Sequence, residues 1–73
     1  MELTVNGEKK LLDLPGDLTV DGLLRELKVK MPEYVSVEIN GEILSRSVHP
    51  TAVVNPGDRI EFLYFMGGGA NAR

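Results

Sequence analysis

Two stretches of alternating hydrophobic and polar residues end in Asn-Gly, and each predicts a β-strand that enters a hairpin. The turns fall at Asn6-Gly7 and Asn40-Gly41, because Asn-Gly is the dipeptide best suited to a two-residue turn between strands. A return strand is expected after each turn. The four strands predicted in this way are residues 2–6, 9–14, 34–39 and 42–44.

A helical spacing lies between the two predicted hairpins. Its apolar residues recur at positions i, i+3, i+4 and i+7, as in a short amphipathic helix. They are Val20, Leu23, Leu24 and Leu27. Thr19 stands at the N-cap position, and Pro32 is expected to close the segment because the residue before a proline is driven out of the helical region.

The last ordered element is expected at residues 59–65, after an irregular stretch over residues 45–54 and a tight turn at residues 55–58. This element is rich in β-forming residues and alternates less strictly, which is typical of a central strand covered on both faces. The order of elements predicts an α+β domain, with one helix packed on one face of a four- or five-stranded mixed sheet. The first and last strands are expected to lie side by side and parallel. This is the ubiquitin-like β-grasp arrangement, here assigned to residues 1–66.

Length and composition restrict the function of the 73-residue chain. A domain of this size buries only about 60% of the surface of its unfolded chain, so a deep catalytic cavity is disfavoured and we expect no enzyme. Because there is no Cys, the chain has no disulfide, thiolate metal site or thiol nucleophile. The net charge of -3 and the scattered basic residues argue against nucleic acid. No apolar run approaches the roughly 20 residues that span a bilayer, so we expect no membrane contact. The small size without disulfides favours a cytoplasmic protein, and a monomer is the default expectation.

Glycine dominates the end of the chain, where Gly67, Gly68 and Gly69 follow one another. Three consecutive glycines have no side chain to bury and a large backbone entropy. Residues 67–73 are therefore predicted to form a flexible tail that leaves the last strand.

Five short segments occur in a characteristic order along the chain. They are Leu3-Thr4-Val5-Asn6-Gly7-Glu8, Leu18-Thr19-Val20, Val37-Glu38-Ile39-Asn40-Gly41-Glu42-Ile43, Pro56-Gly57-Asp58 with Ile60-Glu61, and Gly68-Gly69. With these segments, nearly the whole chain from Glu2 to Gly69 resembles the ThiS family of bacterial sulfur carriers. The wider group includes the small subunit of molybdopterin synthase.

The resemblance implies a carrier whose Gly69 carboxylate is adenylated by an E1-like enzyme, converted to a thiocarboxylate and used to donate sulfur for the thiazole of thiamine. The enzyme uses the ATP, so the chain itself is expected to bind no cofactor and no metal. The implied partners are a ThiF-like adenylating enzyme, a ThiG-like thiazole synthase and a sulfur-donating desulfurase system. Gly67 and Gly68 are expected to thread into the partner's active site, because residues without Cβ atoms fit a narrow channel.

Three apolar residues at the end of the last strand are candidates for partner docking, with closure of the bottom of the core as the alternative role of Phe65. They are Leu63, Phe65 and Met66. A partly exposed apolar patch beside the tail gives an enzyme a modest, reversible contact. His49 has no second His or Cys to complete a metal site or a catalytic pair, and we assign it no role. Tyr34 fits either packing between the helix and the following strand or an exposed contact, and we expect packing.

Residues 70–73 depart from the family, whose members commonly end at the diglycine. A Gly69 in peptide linkage has no free carboxylate, so a maturation protease is expected to remove these residues, and the pattern leaves open whether Gly68 or Gly69 then ends the chain. By resemblance we take Gly69. Three alternatives remain: the same chemistry for molybdopterin or another acceptor, a non-carrier ubiquitin-like module that binds protein, and covalent attachment to lysines.

Overall fold

The computed structural model describes residues 1–64. The elements are β1 (Glu2–Val5), β2 (Glu8–Leu11), α1 (Val20–Glu26), β3 (Val35–Ile39), β4 (Glu42–Ile43) and β5 (Arg59–Tyr64), with 3-10 turns at Pro32–Tyr34 and Arg46–Val48. The strands form one five-stranded sheet in the order β2-β1-β5-β3-β4. β1 and β5 lie parallel in its middle and the other pairs are antiparallel, which confirms the β-grasp prediction.

Both predicted hairpins form, and in each the Asn-Gly pair takes the left-handed backbone region. The φ angles are 50° at Asn6, 84° at Gly7, 52° at Asn40 and 90° at Gly41. Positive φ at both central residues defines the type I′ turn, whose twist matches that of the two flanking strands. The sequence therefore predicted the position of both turns, and the structure shows their type.

α1 begins as the pattern predicts. The Thr19 hydroxyl oxygen accepts a hydrogen bond from the Gly22 backbone N–H at 3.1 Å, so Thr19 is the N-cap. The helix buries the apolar side that faces the sheet; its buried residues are Val20, Gly22, Leu23 and Leu24.

The helix ends after Glu26, earlier than a closure at Pro32 would place it. The Val29 N–H donates to the Leu24 carbonyl at 3.0 Å and the Lys28 N–H to the Arg25 carbonyl at 3.1 Å. These two bonds form a Schellman motif, in which the first residue after the C-cap adopts a left-handed conformation. Lys28 does so with φ of 54°, without the glycine that usually marks such an end.

The core lies between α1 and one face of the sheet. Its ten buried hydrophobic residues form one cluster: Leu3, Val5, Leu18, Val20, Leu23, Leu24, Val35, Val37, Val54 and Ile60. The opposite face of the sheet, called the open face below, carries Arg59 and Glu61 of the central strand, both exposed. The expectation that this strand is covered on both faces was wrong, because the one helix and the core loops lie on the same side.

Two further observations concern the surface. Tyr34 is 68% exposed in the 3-10 turn before β3, so the prediction that it packs between helix and strand was wrong. Within residues 1–64, no helix has the length and apolar character needed to cross a membrane.

Candidate functional site

The end of β5 is the place where the described chain meets the candidate tail. Leu63 lies here on the open face, half-buried and directly opposite Ser36 of β3. Phe65, Met66 and the glycines 67–69 lie outside the described residues. The predicted boundary between the domain and the tail, after residue 66, also lies outside them. Of the predicted site residues, the structure therefore positions Leu63, and the roles of the others stay predictions.

Side chains from the two Asn-Gly turns bind the central strand. The Asn6 amide oxygen accepts a hydrogen bond from the Phe62 N–H at 2.9 Å, and the Asn40 amide oxygen accepts one from the Arg59 N–H at 2.9 Å. The Asn40 amide nitrogen also donates to the Asp58 carboxylate at 3.0 Å. Each asparagine thus shapes its own turn and continues the hydrogen bonding of β5 where a neighbouring strand ends.

Charged residues crowd the open face beside Leu63. Glu38 of β3 lies directly opposite Glu61 of β5, so two acidic residues are neighbours across adjacent strands on this face. A shallow recess of about 170 Å³ lies between the two Asn-Gly turns. It is lined by Thr4, Gly7, Glu38, Gly41, Arg59 and Glu61. Within residues 1–64, the predicted docking surface is thus represented by one apolar side chain, Leu63, next to an acidic pair and the recess that Arg59 lines.

Exposed large side chains also lie near the end of β5, and sequence analysis assigned none of them to the site. Tyr64 is 42% exposed, and its hydroxyl donates to the Lys30 carbonyl at 2.8 Å. Tyr34 precedes Val35, which pairs with Tyr64, and Met31 is 52% exposed in the same loop. The signal in the sequence was the run of large residues on either side of Pro32, which alone does not distinguish packing from exposure.

A larger cleft of about 440 Å³ lies on the helix side. It is lined by Asp21, Leu24, Arg25, Pro32, Glu33, Arg46, His49 and Pro50. His49 is 2% exposed, and its carbonyl accepts the Asp21 N–H at 3.0 Å. The Arg46 guanidinium donates to the carbonyls of Pro32 at 3.1 Å and Val35 at 2.9 Å, which ties two loops together. Within the described part of the chain, no group of three or more His, Asp or Glu residues could hold a metal ion.

The fold and the open sheet face define a small ubiquitin-like β-grasp protein. The model of the ThiS family matches residues 2–69. The chain therefore belongs to the ThiS family, the family of sulfur carriers that its sequence resembles.

Solved structures and curated relatives agree with this assignment. The crystal structure of a thiamine biosynthesis protein (ThiS) from Geobacter metallireducens is 52% identical with a TM-score of 0.87, over 94% of this chain and 100% of that one. The NMR structure of a thiamine biosynthesis protein from the same organism is 49% identical with a TM-score of 0.76, over 100% of this chain and 94% of that one.

The curated relatives are longer proteins. A thiazole synthase of Paramagnetospirillum magneticum is 39% identical over 71 residues, which are 97% of this chain and 21% of that protein. A thiazole synthase of Magnetococcus marinus is 36% identical over 69 residues, which are 94% of this chain and 20% of that protein. The chain thus spans about a fifth of the length of these relatives.

Proposed function

We propose that this chain is a sulfur carrier of thiamine biosynthesis whose Gly69 carboxylate is activated with ATP by a separate enzyme and becomes a thiocarboxylate. The observation that supports this most strongly is the extent of the family match, which runs through the folded domain and ends on Gly69. Residues after Gly69 have to be removed first, because a glycine in peptide linkage has no free carboxylate.

The chemistry needs activation because a carboxylate is a poor electrophile. A carboxylate oxygen of Gly69 attacks the α-phosphorus of ATP, the bond to pyrophosphate breaks, and an acyl adenylate forms. A sulfur nucleophile from the desulfurase system attacks the acyl carbon, and AMP leaves with the bonding electrons. With a persulfide donor, an external thiol then cleaves the S–S bond, is itself oxidised, and releases the thiocarboxylate.

The length of the tail restricts where the adenylating enzyme binds. Five residues from Tyr64 to Gly69 span at most about 17–18 Å when fully extended. The enzyme must therefore cover the end of β5 while its nucleotide pocket holds the glycine. We propose that it docks on the open face there, with Leu63 in an apolar contact and basic side chains facing Glu38 and Glu61.

Thiazole synthase is the proposed acceptor of the sulfur. In the two curated relatives, a segment similar to nearly all of this chain occurs in a protein named for that activity. This favours the thiazole of thiamine over molybdopterin, because it associates a carrier-like domain with the enzyme that would consume its sulfur.

Intact mass spectrometry tests the proposal directly. The chain ending at Gly69 is incubated with the ThiF-like enzyme of the same cell, ATP and the desulfurase system. We expect a gain of about 16 Da, the exchange of one oxygen for sulfur at the terminal acyl group. The chain ending at Arg73 is the matched control and should gain nothing. No gain on the shorter chain, with an enzyme shown to be active on another carrier, would contradict the proposal.

The product also separates the alternatives. The thiocarboxylate form should support thiazole formation by thiazole synthase and should not replace the small subunit in molybdopterin synthesis. Deletion of residues 68–73 should abolish thiamine-independent growth of the parent cell. Growth without those residues would identify a protein-binding module instead of a carrier.

A further inference from the structure

The backbone of β5 alternates between its two neighbouring strands. The Asn40 N–H donates to the Arg59 carbonyl at 2.8 Å, so the odd-numbered residues of β5 turn their polar groups towards β3. The Asn6 N–H donates to the Ile60 carbonyl at 2.8 Å, so the even-numbered residues turn theirs towards β1. By this alternation, Phe62 and Tyr64 direct their backbone groups to the β1 side.

On that side the pairing ends before β5 does. The parallel register joins Thr4 to Arg59 and Val5 to Ile60, after which the chain turns away at Asn6. The Asn6 side chain then accepts the Phe62 N–H, as described above. Neither the strand pairing, which ends at Ile60 on this side, nor a hydrogen bond outside the strands gives the Phe62 carbonyl or the Tyr64 N–H a partner among residues 1–64. We call these two groups the open edge.

The open edge is held in strand geometry although no residue of the described range 1–64 pairs with it. On the other side β3 pairs with the same segment as far as Val35 opposite Tyr64. Leu63 on one face and Phe62 on the other give it apolar flanks, both half-buried. A rigid strand with one free row of backbone groups is the feature to which extended peptides add as a further strand.

The outer edges of the sheet differ from the open edge. The outer strand β2 has the sequence Glu-Lys-Lys-Leu, and charged residues of this kind discourage pairing with another chain. The outer strand β4 has only two residues. The open edge is protected neither by a run of charged residues nor by a very short strand. It is also the edge next to the start of the tail in the sequence.

We propose that the open edge binds an extended segment of the adenylating enzyme, which adds to the sheet beside Phe62 and Tyr64. This inference rests on the proposed function, because that enzyme must lie within reach of the tail. The added strand occupies the space beyond the Asn6 turn. Its hydrogen bonds to the Phe62 carbonyl and the Tyr64 N–H hold the end of β5 in a fixed direction. The tail then leaves β5 directed towards the nucleotide pocket.

Amide hydrogen exchange measured by NMR tests the pairing. In the free chain ending at Gly69 we expect the Tyr64 amide to exchange rapidly and the Leu63 amide, which is directed to β3, to exchange slowly. With the adenylating enzyme bound, the Tyr64 amide should become protected. An unprotected Tyr64 amide in a complex that still releases pyrophosphate would overturn this inference and leave the proposed function standing. Protection that appears on concentrating the chain alone would assign the edge to a second copy and would also overturn it.

A single-atom change isolates the bond. Chemical synthesis can replace the Tyr64 backbone N–H by an ester oxygen and keep the side chain and its hydroxyl. Loss of one hydrogen bond should weaken binding to the adenylating enzyme about fivefold. The matched control is the same change at Lys9. The pair Val5 and Glu8 closes the two-residue turn by exchanging hydrogen bonds, so the Lys9 N–H points away from β1 on the outer edge. The Lys9 ester should bind like the unmodified chain, and equal binding by the Tyr64 ester would contradict the proposal.

Discussion

Glu38 and Glu61 lie directly opposite each other on the open face of the sheet, in adjacent strands. Two like charges in this position destabilise a sheet. The alternating pattern of each strand requires a polar residue at this position, but it does not require both residues to be acidic. Arg59 lines the same recess, but neither glutamate forms a salt bridge among residues 1–64, so the repulsion is at most partly offset. Basic side chains of a docked partner would remove the remaining repulsion. This acidic pair is therefore more favourable in a complex than in the free protein.

Glu61→Gln should therefore make the free domain more stable and the complex weaker. We expect the free energy of unfolding to rise by roughly 0.5 kcal/mol, because a cross-strand repulsion is removed. Binding to the adenylating enzyme should weaken, and its dependence on salt should fall. Urea unfolding and a binding titration at two ionic strengths measure both. Glu2→Gln is the control on the same face at the far end of β1, and it should change neither quantity. A less stable Glu61→Gln domain would contradict the reading of this pair as repulsive.

Leu63→Ala tests the apolar contact at the end of β5. The side chain is half-buried on the open face and contributes little to the core, so we expect a loss of about 1 kcal/mol of stability. Binding to the adenylating enzyme should weaken about tenfold if Leu63 lies in the centre of the contact.

Leu11 provides the matched control for Leu63. It lies on the same face, opposite Glu2 in the outer strand β2, and is 86% exposed. Leu11→Ala should leave binding unchanged in the same titration. Equal effects of the two substitutions would place the contact elsewhere on the sheet.

Thr19→Ala should destabilise the domain by about 1 kcal/mol, because the Gly22 N–H loses its partner at the start of α1. Thr19→Ser keeps a hydroxyl at the same place and should restore most of the loss. The midpoint of urea unfolding reports both variants. An alanine variant as stable as the parent would show that this cap contributes nothing.

Lys28→Gly should stabilise the domain by roughly 0.5 kcal/mol. Lys28 adopts a φ of 54°, where a residue with a Cβ is strained, and glycine removes that strain at the cost of a more flexible unfolded chain. Lys30 is an exposed lysine two positions later that is not among the residues with positive φ. Lys30→Gly should stabilise nothing, and thermal unfolding of the two variants side by side gives the comparison.

Local signals in the sequence were sufficient for much of the fold. Asn-Gly dipeptides require a particular turn, and Thr19 before an apolar stripe marks a helix start, so both hairpins and the beginning of α1 could be predicted. The end of α1 could not, because the Schellman motif forms around a lysine where a glycine is the usual signal. The exposure of β5 on one face also escaped prediction, because the apolar run after Glu61 hides the alternation of charged and buried positions at residues 59–61.

The site was less accessible because it depends on which strands are neighbours. Leu63 could be selected from its place before the glycines. The opposition of Glu38 and Glu61 depends on the register between β3 and β5, which no local pattern specifies. The same holds for the open edge, which exists because β1 turns away at Asn6 while β5 continues.

The central position of β5 has a consequence for synthesis of the chain. Both halves of the domain pair with this strand, one through β1 and the other through β3, and it is made after every other element of residues 1–64. A chain interrupted before Arg59 lacks the piece that joins the halves, so nascent chains should remain unfolded until translation has passed Tyr64. A nascent chain that has been translated as far as the glycines therefore already contains all the strands of the domain to which they are attached.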